Sequence, residues 1–170
     1  MRDSMRPLKI AKKTKAYISL ALVLLCTPVV ATTADLSQIT RLANQGDIIS
    51  QNNLGVMYSN GEGVRQDYQK AFDLYTKAAN QGDAKAQYTL GVMYDNGKGV
   101  RQDYQKAFDW FTKAANQGNA KAEYNIGVMY YNGQGVRPDY KKAKNFFGLS
   151  CDNGWQEGCD AYKDLNRRGF

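Results

Sequence analysis

A block of 36 residues occurs three times in succession without a gap, and this repetition is the strongest constraint on the fold. The copies cover residues 47–82, 83–118 and 119–154; the first two are identical at 27 positions, and the second and third at 19. A repeat of this length indicates an array in which each copy buries its apolar face against its neighbours. Residues 35–46 match only the end of a copy and residues 155–170 only the beginning. We expect both segments to cap the array.

Each copy is predicted to form two α-helices separated by a glycine-containing turn. In the second copy, Asp83 and Asp103 are typical N-cap residues, and Gly97 is typical of the end of the first helix. The first helix has an apolar stripe of Ala86, Leu90 and Tyr94, flanked by Met93, and the stripe of the second is Tyr104, Ala107, Phe108, Phe111, Ala114 and Ala115. The sequence therefore predicts an all-α fold, an α/α solenoid of three helix-turn-helix repeats with half-repeat caps.

A glycine lies within each predicted first helix, at Gly55, Gly91 and Gly127. Glycine costs about 1 kcal/mol relative to alanine inside a helix, so its return in every copy needs a packing reason. A residue without a side chain lets a neighbouring helix come close. The last predicted helix has Lys163 at the matching position, which supports its role as a cap.

Residues 1–34 have the pattern of a secretory signal peptide. Six basic residues precede an apolar run, and small residues surround Ala31 and Ala34, the two candidate cleavage sites. A retained membrane anchor is an alternative, but the apolar stretch over residues 17–31 contains a proline and is shorter than the ~20 residues that usually span a bilayer. Lipidation of Cys26 is a second alternative. We expect a periplasmic or secreted protein that is not stably inserted in a membrane after cleavage.

Composition excludes several classes of function. Beyond residue 34 the chain has 17 basic and 15 acidic residues, a balance that does not favour nucleic-acid binding. There is no histidine in the sequence, which excludes His-based catalysis of the Ser-His-Asp type and His-containing zinc sites. No serine beyond the signal segment is followed three residues later by lysine, as penicillin-recognising serine enzymes require. We expect neither enzymatic activity nor a cofactor nor a metal site.

The sequence motifs resemble those of a known repeat family. The pattern Ala-x-x-x-Leu-Gly-x-x-Tyr, Asn-Gly-x-Gly-Val, Asp-Tyr-x-Lys-Ala and Lys-Ala-Ala-x-x-Gly is similar to the SEL-one-like repeat (SLR), a relative of the tetratricopeptide repeat. The resemblance implies a right-handed superhelix and a scaffold or adaptor function. Secreted bacterial members include host-interaction factors, envelope proteins and toxin-immunity proteins. A cysteine-rich secreted branch is linked with β-lactam binding or weak β-lactam hydrolysis, which is the alternative function.

The third copy departs from the others near its end, where Cys151 is followed by Cys159 eight residues later. The spacing resembles that of the cysteine-rich SLR branch, in which such a pair links adjacent antiparallel helices. The resemblance therefore implies a Cys151–Cys159 disulfide, in keeping with an oxidising compartment. Two free, buried thiols in a cytosolic protein are the alternative. A zinc site is disfavoured, because two thiols without histidine do not complete one.

The resemblance also implies that the first helices line the concave side of the solenoid, where a protein or peptide partner would bind. Tyrosine is enriched at binding sites because it combines a rigid apolar body with a polar tip. Packing between repeats is the alternative role for these tyrosines, and Ile48 and Ile49 could form a separate apolar patch or pack on the N-terminal cap. The candidate concave-face residues are Asn52, Val56, Ser59, Lys85, Tyr88, Val92, Asp95, Lys121, Tyr124, Val128 and Tyr131.

Overall fold

The computed structural model describes residues 33–170, and within that range it contains eight α-helices and no β-strand. The helices are α1 (Thr33–Asn44), α2 (Ile48–Asn60), α3 (Tyr68–Asn80), α4 (Ala84–Asn96), α5 (Tyr104–Ala115), α6 (Ala120–Asn132), α7 (Tyr140–Asp152) and α8 (Gln156–Arg167). Each helix packs mainly on the helices before and after it in the chain. The predicted all-α solenoid of helix pairs is therefore confirmed.

The predictions for the N-terminal segment lie almost entirely outside the described residues. The signal peptide over residues 1–34, its cleavage after Ala31 or Ala34, the anchor and the lipidation of Cys26 concern mainly residues 1–32, and all stay predictions. Helix α1 begins at Thr33, two residues before the predicted start of the N-terminal cap. Within residues 33–170, no helix is long and apolar enough to cross a membrane.

The predicted caps fix where the helices begin and end. The Asp83 carboxylate accepts a hydrogen bond from the Ala86 N–H at the start of α4, and the Asp103 carboxylate accepts one from the Lys106 N–H at the start of α5. Gly97 ends α4 with a φ of 67°, a left-handed conformation that favours glycine. The other two repeats use the same devices. Helix α8 differs, since Trp155 at its N-cap provides no side-chain hydrogen bond.

The apolar stripe of the first helices contains Ala86 and Leu90 as predicted, but its last member is one position away from the prediction. Met93 is buried in the core, whereas Tyr94 is half-buried and packs its ring edge-on against Phe72 at 5.4 Å between centroids. Seven residues complete almost two helical turns, so Met93 lies nearly in line with Ala86, while the eighth overshoots by about 80°. The prediction that Tyr94 forms the stripe and Met93 flanks it was therefore wrong.

A buried glutamine joins successive units by a hydrogen bond to the backbone carbonyl of the residue eight positions earlier in the chain, and this contact recurs from one repeat to the next. The buried Gln87 side chain donates a hydrogen bond to the Ala79 carbonyl (3.2 Å) and accepts one from Gln117 (2.8 Å). Gln51 makes the same two contacts one repeat earlier, with Ala43 and Gln81. These side chains join the second helix of one unit to the first helix of the next.

The contact changes along the array. Glu123 takes the place of glutamine in the third repeat and accepts from the Asn153 amide at 2.9 Å, but a carboxylate has no N–H to offer the Ala115 carbonyl. In the final unit the equivalent positions are Cys151 and Cys159, and a disulfide joins them. The disulfide implied by the resemblance is therefore present, and it replaces a hydrogen bond of the earlier repeats with a covalent bond.

Glu123→Gln is expected to raise the free energy of unfolding by about 1 kcal/mol, the usual net value of a hydrogen bond. The amide would keep an oxygen for Asn153 and add an N–H donor toward the Ala115 carbonyl, as Gln87 does for Ala79. Urea denaturation followed by circular dichroism measures the change. The reverse substitution, Gln87→Glu, is the matched control and should lower stability, because it buries a carboxylate where an amide donated. A Glu123→Gln protein no more stable than the parent would contradict this account.

Candidate interaction surface

Three shallow grooves lie between α2 and α4, between α4 and α6, and between α6 and the C-terminal helix α8. The α2–α4 groove is lined by Ile49, Asn52, Asn53, Val56, Tyr75, Asp83, Ala84, Lys85 and Thr89. The α4–α6 groove also reaches the start of α8 and is lined by Lys85, Tyr88, Thr89, Gly118, Asn119, Ala120, Lys121, Asn153, Gly154 and Trp155. The α6–α8 groove is lined by Tyr124, Val128, Tyr131, Asn132, Phe147, Ala161, Asp164, Leu165 and Arg168. Lys85 belongs to the first two grooves, which are therefore adjacent.

The α2–α4 groove exposes apolar side chains. Ile49 is 70% exposed and Val56 is 42% exposed, both on the same side of α2. Asn52 lies between them in sequence, and its amide donates to the Asp83 carboxylate at 3.0 Å. That hydrogen bond ties repeat 1 to the N-cap of α4, so Asn52 helps to set the spacing of the two helices.

The α4–α6 groove combines aromatic rings with two lysines. Tyr88 is half-buried and its ring is tilted against Phe111, with 5.9 Å between centroids. Burial raises the pKa of the Tyr88 hydroxyl, and a hydrogen bond to Asn125 acts in the opposite direction. The Lys121 ammonium lies over the ring of Trp155, 4.6 Å from its centroid. This groove therefore has a cationic rim against apolar ring surfaces.

The α6–α8 groove is partly filled by contacts to the C-terminal cap. The Arg168 guanidinium donates to the Tyr131 hydroxyl at 2.8 Å, and the Tyr131 ring meets Tyr140 edge-on at 5.3 Å. Tyr124 packs on Phe147 with 5.4 Å between centroids. Both tyrosines thus have structural contacts in addition to a groove-facing surface, which combines the two roles that the sequence left open.

Eight of the eleven predicted concave-face residues line a groove and three do not. Ser59 is half-buried and forms a hydrogen bond with Tyr75, whose pKa is raised by burial. Val92 is half-buried against the core between α5 and α6. Asp95 is half-buried, and loss of solvent raises the pKa of its carboxyl. These three stay predictions as binding residues, with no groove around them.

Many other residues also line the grooves without having been predicted, and two of them, Trp155 and Arg168, make distinctive contacts there. Trp155 stands where Asp47, Asp83 and Asn119 begin the preceding repeats. That departure from a capping residue is a visible signal in the sequence, since tryptophan cannot cap a helix through an acceptor oxygen. Arg168 lies beyond the repeats and reaches Tyr131 across 37 positions, a contact that no periodicity reveals.

Two serines of the described part of the chain have structural roles. Ser150 is fully buried and donates to the Ala120 carbonyl at 2.8 Å, and Ser50 is buried in the first turn of α2. Within residues 33–170, no cluster of three or more His, Cys, Asp or Glu side chains could hold a metal ion. The grooves offer apolar, aromatic and charged contact surface, with basic side chains in all three and a carboxylate in two of them.

Comparisons with known proteins agree with this architecture. The family model of the Sel1 repeat matches residues 48–83, 84–119 and 120–155, one residue later than the copies defined above. A search of curated proteins found no match.

Solved structures of similar fold include c5321, described as a protective antigen of uropathogenic Escherichia coli with an SLR fold. It is 37% identical with a TM-score of 0.79, over 81% of this chain and 30% of that one. A Sel1 repeat protein from Oxalobacter formigenes is 33% identical with a TM-score of 0.70, over 78% and 53% of the two chains. The chain thus spans about a third and about half of these two proteins.

The cysteine-rich protein B of Helicobacter pylori shares the fold, at 24% identity and a TM-score of 0.59, over 76% of this chain and 96% of that one. Its likeness, like that of the two longer proteins, extends over several consecutive helix pairs. Three consecutive family matches cover well over half of the sequence, and the helix pairs, glycine contacts and caps recur in step with them. The chain belongs to the Sel1 repeat family.

Proposed function

We propose that this protein is an exported, non-enzymatic scaffold that binds a protein or peptide partner along the three grooves. The observation that carries the proposal is a contrast within the repeats. Residues that pack the helices recur, such as Gly55, Gly91 and Gly127, each against an aromatic ring. Several groove residues at matching positions change instead, as from Asn52 to Tyr88 and from Asn119 to Trp155, although Val56 recurs as Val128. A recurring scaffold with a changing surface suits recognition of one particular partner.

The chemistry of the grooves supports binding of a polypeptide. Ile49 and Val56 present apolar surface at one end, and Tyr124 and Val128 present it at the other. Partner side chains that cover such surface would gain about 25 cal/mol per Å² buried. Aromatic residues between the two ends add rigid contact area.

Export is supported by two independent features. The N-terminal segment has the pattern of a signal peptide, and the described part of the chain contains a disulfide between Cys151 and Cys159. Disulfides persist mainly in oxidising compartments. Separation of periplasmic, membrane and culture fractions, with the mass of the protein in each, tests both export and cleavage.

Ile49→Ser combined with Val56→Ser is expected to reduce partner binding at least tenfold, because loss of a buried apolar anchor commonly costs more than 1 kcal/mol. The partner is captured by crosslinking in envelope fractions of the native cell and quantified by mass spectrometry. Both residues are exposed, so helicity and stability should not change.

Leu149→Ser combined with Tyr162→Ser is the matched control. These side chains are 48% and 38% exposed, and they lie together outside the three grooves. The control should retain the partner captured by the parent. If the control loses that partner while the groove variant keeps it, the interaction surface lies at the C-terminal end and the groove proposal fails.

A further inference from the structure

The α4–α6 groove differs from its two neighbours in charge. Lys85 and Lys121 line it, and the described lining contains no aspartate or glutamate. The α2–α4 groove contains Asp83, and the α6–α8 groove contains Asp164. The middle groove therefore has a positive charge that the residues around it leave unbalanced.

In the described part of the chain, neither of these two lysines is paired with a carboxylate, in contrast to two lysines on the second helices. Lys70 and Lys106 on the second helices lie 3.6 and 3.7 Å from the carboxylates of Asp67 and Asp103. Within residues 33–170, Lys85 and Lys121 form no ion pair. Residues 35–170 contain 17 basic and 15 acidic residues, with these two lysines among the 17, so this part of the chain is nearly balanced as a whole, whereas the only charged side chains among the described residues that line this groove are basic.

Aromatic rings form the walls beneath these charges. Trp155 lies under the Lys121 ammonium at 4.6 Å, and Tyr88 is half-buried on the side of α4. Rings of this kind can cover the methylene stem of a glutamate or a neighbouring apolar side chain. A carboxylate that entered the groove would meet the ammonium groups of Lys85 and Lys121, both on exposed side chains, so each charge pair would be weak by itself and screened by salt.

We infer that the α4–α6 groove binds an acidic peptide segment of the partner, with its carboxylates at Lys85 and Lys121 and its apolar residues in the flanking grooves. This inference rests on the proposed function and names the partner's chemistry. Val56 on one side and Val128 on the other provide apolar surface. A polysaccharide or nucleic-acid backbone lacks apolar side chains to place there, so a polypeptide fits the row better.

Selection of a displayed library of random peptides on the purified protein tests the inference. The expected winners contain aspartate or glutamate flanked by leucine, isoleucine, valine or aromatic residues. The tightest peptide should bind at least tenfold more weakly when its acidic residues are replaced by their amides. The same loss is expected for the protein variant Lys85→Gln with Lys121→Gln, and the difference should shrink at high salt.

Lys77→Gln combined with Lys141→Gln is the control, since both lysines are exposed on second helices and the change in net charge is identical. The control should bind the acidic peptide as the parent does. Equal weakening by both double variants would mean that only overall charge matters, and this would overturn the inference. The inference would also be overturned if the protein bound heparin tightly while the selected peptides showed no enrichment of apolar residues.

The outcomes separate this inference from the proposed function. Winners without an excess of acidic residues whose binding is lost in the variant Ile49→Ser with Val56→Ser would overturn the acidic inference and leave the groove function standing. If no peptide is enriched, the inference is wrong. If, in addition, the variant Ile49→Ser with Val56→Ser captures as much of the cellular partner as the parent protein does, the proposed function is wrong too.

Discussion

Gly91→Ala is expected to destabilise the protein by about 2 kcal/mol, in the range found when a methyl group is forced into a packed core. Alanine normally stabilises a helix relative to glycine, so the sign of the effect is the opposite of what helix propensity gives. A Cβ atom at Gly91 would lie 2.5 Å from the ring of Phe111, which is 1% exposed and has little room to move. Urea denaturation monitored by circular dichroism measures the loss.

Two further variants isolate the cause. Gly148→Ala on α7 is the control, because a Cβ there meets the Tyr162 ring at 3.4 Å, an ordinary contact, and its stability should stay the same or rise. Gly91→Ala with Phe111→Leu should be less destabilised than the sum of the two single changes, since the smaller side chain makes room for the methyl group. Additive losses would show that the ring contact is not the reason for glycine at this position.

The sequence was sufficient to predict the scaffold because its determinants are local and recur. Asp83, Asp103 and Gly97 act within one turn of their own positions, so each could be assigned from the adjacent residues. Gly91 pointed to a close helix contact, which the Phe111 ring provides. In the first helices, the sequence was misjudged as to which of Met93 and Tyr94 faces the core. Adjacent positions point about 100° apart on a helix, so only one of the two can lie in line with the buried stripe.

The interaction surface was less predictable because its details depend on contacts between repeats. Asn52 donates to Asp83 in the next repeat, and Tyr131 accepts from Arg168 in the C-terminal cap. Neither contact follows from the position of a residue on its own helix. Trp155 joins the α4–α6 groove for the same reason, since its partner Lys121 belongs to the preceding repeat. The position of each residue in the repeat was enough to predict which helices line the grooves. It was not enough to predict which side chains there are available to a partner.

The bond between successive units shows how the array ends. Gln51 and Gln87 hold the first junctions by hydrogen bonds, Glu123 has lost the donor, and a disulfide closes the last junction. A terminal helix has a neighbour on one side only, so it buries less apolar surface than an internal helix. The disulfide at α8 compensates for the smaller buried apolar surface of this terminal helix, where a single hydrogen bond would contribute too little.

Cys151→Ala combined with Cys159→Ala is accordingly expected to lower the free energy of unfolding by about 2.5 kcal/mol, the value that the chain-entropy model assigns to a loop this short. The loss should be concentrated at the C-terminal end. Amide hydrogen exchange should accelerate in α8 more than in α2, because α8 packs almost entirely on α7 and α6 and few other contacts hold it in place. Reduction of the parent protein should reproduce the effect.

Cys151→Ala with Cys159→Gln is the sharper comparison, since it restores the pair found at Ala79 and Gln87. The glutamine should recover about 1 kcal/mol relative to the double alanine variant by donating to the carbonyl of residue 151. The order of stabilities should therefore be parent, glutamine variant, alanine variant, and the rate of amide exchange in α8 should follow the reverse order. If the glutamine and alanine variants are equally stable, the junction at α8 differs from the earlier ones and the cap is held by the disulfide alone.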